Sequence, residues 1–287
     1  MAVQNSLQRS RGNQILGISA YLTADAVKNQ INQVVGGKDG QRFISAIVSA
    51  VNTNPALQEC TNQSILSGAL LGESLKLSPS PQLGQYYLVP FNDKNKGKVA
   101  QFQLGYKGYI QLAIRSGQYK KLNVLAIKEG ELIRFDPLNE EIEVRLIEDE
   151  EEREQANTIG YYAMFEYTNG FRKAIYWSKR KMEAHALKYS KGYQAKKGYT
   201  FWEKDFDGMA YKTMLRQLIS KWGIMSIDMA SAIDSDMAVI NEDGTKDYVD
   251  NDATVFDMEP AQEATPQQSQ PEPAVPVDAK AALFGNN

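Results

Sequence analysis

The chain has 287 residues, of which 43% are hydrophobic and 23% are charged, a balance typical of a globular protein with a sizeable core. No apolar run approaches the ~20 residues that a membrane span needs, and the polar first residues lack the apolar stretch of a signal peptide. Cys60 is the single cysteine, which excludes an intrachain disulfide and a cysteine-based metal site. We therefore expect a cytoplasmic protein with no membrane contact.

The net charge of −3 is unevenly distributed along the chain. Residues 172–221 carry 13 Lys and Arg against 4 Asp and Glu, whereas residues 222–287 carry 2 against 13. A basic segment followed by an acidic tail indicates a polyanionic partner. A pair of solvated basic helices would give the same charge pattern, so charge alone leaves both interpretations open.

The N-terminal third of the chain is predicted to be helical. Residues 1–20 are polar and predicted to be flexible. The spacing of apolar residues then predicts helices over residues 24–35, 41–51 and 62–75. We expect the helical region, residues 21–83, to provide contacts between subunits, because the small residues Ser67-Gly68-Ala69 would allow a neighbour to pack closely.

Residues 84–177 alternate apolar and polar side chains in short runs separated by turn residues, which predicts a small antiparallel sheet of hairpins. The predicted strands cover residues 86–91, 98–103, 121–128, 131–135, 141–147, 159–167 and 171–177. Residues 141–147 are expected to continue the same sheet. The acidic run of residues 148–154 is predicted to be a solvated connection, because so many like charges cannot be buried together.

Residues 178–240 are predicted to form basic helices that pack beside the sheet. These helices cover residues 179–189, 205–222 and 227–237. The glycine-rich loop over residues 190–200 is predicted to be mobile, and the acidic, Pro- and Gln-rich residues 241–287 to be disordered. The expected fold is α+β: a single domain over residues 21–240, in which a small antiparallel sheet is packed with helices, followed by an acidic tail.

The segment from Val99 to Arg115 changes from strand spacing to helical spacing at Gly105. The predicted helix places Lys107, Gln111 and Arg115 on one face, because they are four residues apart. Cations and amides on such a face suit phosphates and base edges, and tyrosine rings beside it suit bases. An ordinary amphipathic helix with a solvated basic face is the alternative.

The candidate nucleic-acid-binding residues lie in this segment and among the later cations. They are Gln103, Lys107, Tyr109, Gln111, Arg115, Lys120, Lys179, Arg180, Lys181, Lys188, Lys196, Lys197, Lys212 and Arg216. The last two are expected on the outward face of their helix. Gly105 and Gly108 lack a Cβ, which would let another backbone approach closely.

Aromatic residues are interleaved with these cations, as a single-strand groove requires. They are Tyr106, Tyr109, Trp177, Tyr193, Tyr199 and Trp202. Some of them must belong to the core, and Trp177 and Trp202 are the first candidates for it.

Catalytic interpretations find less support. His185 is the only histidine, which excludes a two-histidine zinc site, and we expect it to be a surface residue. Cys60 is expected to be buried, and the absence of GxxxxGK[ST] argues against ATP use. The carboxylate pairs Glu129/Glu131 and Asp205/Asp207 are explained by a turn and a helix N-terminus, although a Mg²⁺-dependent nuclease is the enzyme alternative. We expect no cofactor, no bound metal and no enzymatic activity.

Three long stretches resemble one protein family. QFQLGYKGYIQLAIRSGQYK is similar to the signature segment of the RecT family of phage and prophage single-strand annealing proteins. LSGALLGESLKLSPSPQLGQYYLVPF before it and FWEKDFDGMAYKTMLRQLISKWGIMSID after it resemble the same family. The resemblance covers about residues 62–236, and the termini carry little of it.

The resemblance implies a function. It implies ATP-independent binding of single-stranded DNA and annealing of a complementary strand, through an annealed duplex intermediate, in phage homologous recombination. It also implies a homo-oligomer, as a ring or helical filament, with DNA in a basic groove. A phage 5′→3′ exonuclease and the host single-strand-binding protein are the implied partners, in the cytoplasm of a bacterial host cell. A structural assembly protein with no nucleic-acid role is the competing interpretation.

Overall fold

The N-terminal region is a layer of amphipathic helices. The computed structural model describes residues 17–36, 39–93, 95–198 and 200–247. Its first elements are α1 (Ile18–Thr23), α2 (Asp25–Val35), α3 (Gly40–Thr53), a 3-10 turn (Pro55–Glu59) and α4 (Asn62–Ser74). The predicted helices are confirmed, because their apolar residues recur every three to four positions and are buried on one face.

The small-residue stretch of α4 packs inside the chain. Ser67 and Ala69 are buried, and a Cβ on Gly68 would lie 2.7 Å from the Leu88 side chain of the next strand. The close packing that these residues allow is therefore used within the chain. This corrects the expectation of a subunit contact at Ser67-Gly68-Ala69.

A hairpin leads into the central helix. Strands β1 (Tyr86–Asp93) and β2 (Gly97–Leu104) pair antiparallel in the register Tyr86↔Leu104. Helix α5 (Tyr106–Arg115) follows at once, with Gly105 as its N-cap residue. The predicted change from strand to helix at Gly105 is confirmed.

A three-stranded antiparallel sheet forms the second half of the fold. Its strands lie in the order β3 (Tyr119–Lys128), β6 (Thr158–Tyr167) and β7 (Arg172–Ser178). Strands β4 (Leu132–Asp136) and β5 (Glu141–Val144) form a two-stranded sheet of their own, which corrects the expectation that residues 141–147 continue the main sheet. The α+β fold class is confirmed.

The acidic run after β5 is helical rather than an irregular connection. Helix α6 (Glu150–Gln155) begins after Asp149, whose carboxylate accepts the Glu152 N–H at 2.8 Å. Three glutamates in its first turn are stabilised by the positive end of the helix dipole. The side chains remain solvated, as predicted, because no residue of α6 is buried.

The C-terminal part of the described chain is mostly helical. Its elements are α7 (Lys179–Tyr189), α8 (Lys191–Gln194), α9 (Phe201–Lys204), α10 (Phe206–Trp222), α11 (Ile227–Ser235), β8 (Val239–Ile240) and β9 (Lys246–Asp247). The predicted loop over residues 190–200 therefore contains a helical turn. The β8–β9 hairpin extends past Asn241, where the tail was predicted to begin, and residues 248–287 lie outside the described part.

Helix α10 joins two hydrophobic clusters. Leu215 and Ile219 belong to the cluster built from the N-terminal helices, the first hairpin and α5. Met214 and Leu218 belong to the cluster that α7 and α9 form with the main sheet. Both clusters therefore depend on the position of one helix. Of the helices described, none is long and apolar enough to cross a membrane.

Candidate nucleic-acid interface

Two glycines allow α5 to approach the segment before β1. A Cβ on Gly105 would lie 2.1 Å from the carbonyl oxygen of Gly84, and a Cβ on Gly108 would lie 2.1 Å from that of Gln85. The Gly105 N–H also donates to the Gln85 carbonyl at 2.9 Å. The predicted close approach of another backbone is therefore confirmed, and that backbone belongs to the chain itself.

The predicted polar face of α5 is only partly available to a ligand. Lys107 and Gln111 are exposed. Arg115 is exposed too, but its guanidinium donates to the Leu75 carbonyl at 2.5 Å and so satisfies the C-terminal end of α4. Gln103 is half-buried and donates its amide to a glutamine on the same strand at 2.8 Å.

Tyr109 lies on the inner face of α5. Its side chain has no exposed surface, and its hydroxyl donates to Asp236 at 3.4 Å. Burial and the neighbouring Asp236 charge raise the pKa of this hydroxyl. A ring without an exposed face cannot stack on a base, so Tyr109 is removed from the candidate interface. Tyr106 is half-buried, with its ring 5.9 Å from that of Tyr211 on α10.

Asp236 organises a buried ion cluster. Lys212 Nζ lies 3.0 Å from Asp236 Oδ1, and Arg216 Nη1 lies 2.6 Å from Oδ2. The Leu104 N–H donates to the same carboxylate at 2.9 Å. The side chains of Lys212 and Arg216 are 11% and 36% exposed, whereas that of Asp236 is inaccessible. These two cations therefore face the interior and are compensated there, which corrects their predicted outward position.

Helix α7 presents uncompensated positive charge. It begins at Ser178, whose hydroxyl accepts the Lys181 N–H at 3.3 Å. Six of the candidate cations lie on α7 or in the segment after it. Lys179 is half-buried, and the other five are exposed: Arg180, Lys181, Lys188, Lys196 and Lys197. Within the described part of the chain none of these six side chains forms an ion pair. By contrast, Lys120 on β3 lies 2.6 Å from Glu166.

Aromatic contacts connect α5 to α7. Lys107 on α5 and the Tyr87 hydroxyl both lie next to Gly84. The Tyr87 ring in turn lies 5.8 Å from the ring of Phe201 on α9. The next residue, Trp202, is buried with its ring 6.4 Å from His185 on α7. We call the resulting region the α5–α7 surface, with the polar members Lys107, Gln111, Lys179, Arg180, Lys181, Lys188, Lys196 and Lys197. Tyr199 lies outside the described residues.

The carboxylates considered as metal ligands have protein partners. Glu131 is buried and accepts from Arg153 Nε at 2.6 Å and from two backbone N–H groups. Burial raises the pKa of Glu131, but these donors outweigh burial and leave the pKa lowered. Asp205 caps α10, and Asp207 accepts from the Tyr161 hydroxyl at 2.6 Å. No three metal-ligating side chains cluster among the residues that the structure describes.

Cys60 and His185, the single cysteine and the single histidine, are both at least partly shielded from solvent. Cys60 is 2% exposed, and burial raises the pKa of its thiol to about 12, which confirms the expectation of an inert buried cysteine. His185 is half-buried among aromatic rings, so it is less exposed than the predicted surface residue. Burial and the charges of Lys188 and Arg216 lower its pKa.

Comparison with known proteins identifies the family of this chain. Residues 41–252, most of the chain, match the model of the RecT family. The chain belongs to the RecT family. It is 37% identical to the protein YqaK of Bacillus subtilis (strain 168), over 97% of this chain and 96% of that protein. It is 28% identical to Protein RecT of Escherichia coli (strain K12), over 80% of this chain and 86% of that protein.

Membership of the RecT family gives the chain a general role. That role is in DNA recombination and annealing, with single-stranded DNA binding and oligomerisation as general family properties. The resemblance inferred for residues 62–236 is confirmed. The family model leaves out residues 1–40 and 253–287, in agreement with the expectation that the termini carry little of the resemblance.

Sequence reasoning missed several residues of this region. Asp236 gave no local signal, because its partners lie 20 to 132 residues away along the chain. His185 and Tyr189 could have been grouped from the sequence, since they follow Lys181 at spacings of four residues within α7. A spacing of four predicts one helix face once α7 is assigned.

Proposed function

We propose that the chain binds single-stranded DNA along the α5–α7 surface and anneals complementary strands without ATP in phage recombination. The observation that carries the proposal is the group of exposed cations on α7 that have no carboxylate partner in the described structure of a RecT family member. Uncompensated Lys and Arg attract phosphates of any sequence, and nearby aromatic rings suit bases.

Annealing needs a grip on the backbone that leaves the base edges free. Lysines provide such a grip, because they neutralise phosphates as point charges without reading bases. Watson–Crick pairing with the second strand would then supply all sequence specificity. The annealed duplex would form on the same surface, which an oligomeric ring or filament would extend from subunit to subunit.

The proposed role also defines the partners. A phage 5′→3′ exonuclease would produce the single strands, and the host single-strand-binding protein would cover them beforehand in the bacterial cytoplasm. Both would meet this chain through DNA. No resident cofactor is needed for binding and annealing of this kind.

The test follows annealing of two complementary fluorescent oligonucleotides, without nucleotide, over a range of salt concentrations. We expect Lys181→Ala/Lys188→Ala to weaken binding and to reduce the slope of log affinity against log salt by about 1.4, the value for two lost phosphate contacts on a single strand. The control is Lys96→Ala/Lys246→Ala, which removes the same charge beside the β8–β9 hairpin.

Equal behaviour of the two double variants would contradict the assigned surface. Shortening of the strands in the presence of Mg²⁺ would support the nuclease alternative instead. Failure of the wild-type protein to retain single-stranded DNA at low salt would support the structural assembly protein.

A further inference from the structure

Three rings form a continuous series that runs from the end of β7, which carries Trp177, along α7, which carries His185 and Tyr189. The ring centroids of Trp177 and His185 are 5.5 Å apart, and those of His185 and Tyr189 are 4.5 Å apart. Lys181 Nζ lies 4.3 Å from the Trp177 ring, and Lys188 Nζ lies 5.1 Å from the Tyr189 ring. We call Trp177, Lys181, His185, Lys188 and Tyr189 the α7 row.

The row runs from the edge of the core, where Trp177 packs against the second hydrophobic cluster, to the solvent-exposed Tyr189. Tyr189 is 56% exposed, and Trp177 and His185 are half-buried. Beneath the row, Trp202 is only 7% exposed and supports His185 from the protein side. Because more than half of the Tyr189 ring is in solvent, burial contributes little to its stability and the ring is accessible to a ligand.

The charges around the row are positive. Lys181 and Lys188 belong to it, and Arg216 on α10 adds a positive charge that acts on His185. Glu183, on the same helix, acts on Tyr161 and Tyr193. Aromatic faces flanked by cations are the combination that holds a single strand, because the rings stack on bases and the cations neutralise adjacent phosphates.

We infer that Trp177, His185 and Tyr189 form a base-stacking platform for single-stranded DNA, with Lys181 and Lys188 on the flanking phosphates. This inference rests on the proposed function and adds the residues that contact the bases. It assigns stacking to Tyr189 and His185 in place of the buried Tyr109. Bases held by their faces keep their pairing edges free for the second strand.

The test compares two ligands of equal length: oligo(dT), and a strand of abasic deoxyribose phosphates. Tyr189→Leu keeps an apolar side chain but removes the ring, and we expect it to weaken oligo(dT) binding about 5- to 100-fold with less than a twofold effect on the abasic strand. Tyr189→Phe should bind both strands like the wild type. Phe171→Leu removes another exposed ring, on the β6–β7 turn, and should change neither affinity.

A second measurement uses tryptophan fluorescence. Oligo(dT) should quench the wild-type signal, Trp177→Phe should lose most of that quenching, and Trp222→Phe should retain it. The inference is overturned if Tyr189→Leu binds oligo(dT) as tightly as the wild type, or loses equal affinity for both strands. If the wild-type protein binds neither strand, the proposed function itself fails.

Discussion

Replacing Asp236 with alanine tests the ion cluster that ties α10 to β2 and α5. The change leaves Lys212 and Arg216 side by side without their carboxylate and removes the acceptor of the Leu104 N–H. We expect the free energy of unfolding to fall by about 3–5 kcal/mol, the range for removing one partner of a buried ion pair.

The burial of the individual groups determines this magnitude. Lys212, at 11% exposure, cannot recover its hydration without moving α10, and the unpaired Leu104 N–H costs about 1–3 kcal/mol more. Arg216, at 36% exposure, can turn its guanidinium toward solvent and so limits the loss. The total therefore stays near the typical range rather than above it.

The assay is urea unfolding followed by circular dichroism. The midpoint should fall for Asp236→Ala while the slope of the transition is unchanged. The matched control is Asp234→Ala, whose carboxylate is 65% exposed and pairs with Lys246, and which should cost less than about 1 kcal/mol. A loss below about 1 kcal/mol for Asp236→Ala, or equal losses for the two variants, would refute the reasoning.

Three further outcomes follow from the same structure. In an open helix, Gly108→Ala would stabilise the protein by up to about 1 kcal/mol. Here the new Cβ would collide with the Gln85 carbonyl, so thermal unfolding should show a loss of about 1–3 kcal/mol. The control Gly17→Ala has open space around it and should be nearly neutral. Glu131 has a lowered pKa in the folded state, so its stabilisation is complete above its ordinary pKa of 4.5 and is lost as the pH falls; urea midpoints should drop more steeply in acid for the wild type than for Glu131→Gln. His185 also has a lowered pKa, so its protonation favours unfolding as the pH falls below its ordinary pKa of 6.5. His185→Gln should remove that part of the loss of stability below pH 6.5, and an identical loss in the variant would show that His185 does not contribute.

Loss of annealing in an Arg216→Ala variant has two different explanations. From the sequence, loss of annealing in an Arg216→Ala variant would indicate a lost DNA contact. Because Arg216 donates to the buried Asp236, the same loss would follow from a destabilised α10. Unfolding measurements must therefore accompany any annealing assay on this residue.

Local patterns were sufficient for most elements of this fold. Apolar spacing identified α3 and α10, and the Asn169-Gly170 turn identified the β6–β7 hairpin, because these elements depend on contacts between residues close in the chain. Strand partners were harder to predict. β3 pairs with β6 and not with the strand that follows it, and that choice depends on how whole elements pack.

The sequence by itself determined the family, the α+β class and the segregation of basic and acidic segments, since all three are properties of residue order. Only the tertiary structure decided which cations are available to a ligand. Lys181 and Lys212 are indistinguishable as helical lysines in a basic segment, yet Lys181 is exposed over the Trp177 ring whereas Lys212 contacts a buried carboxylate. The physical reason is that charge compensation depends on distances between residues far apart in the chain, which only the folded packing sets.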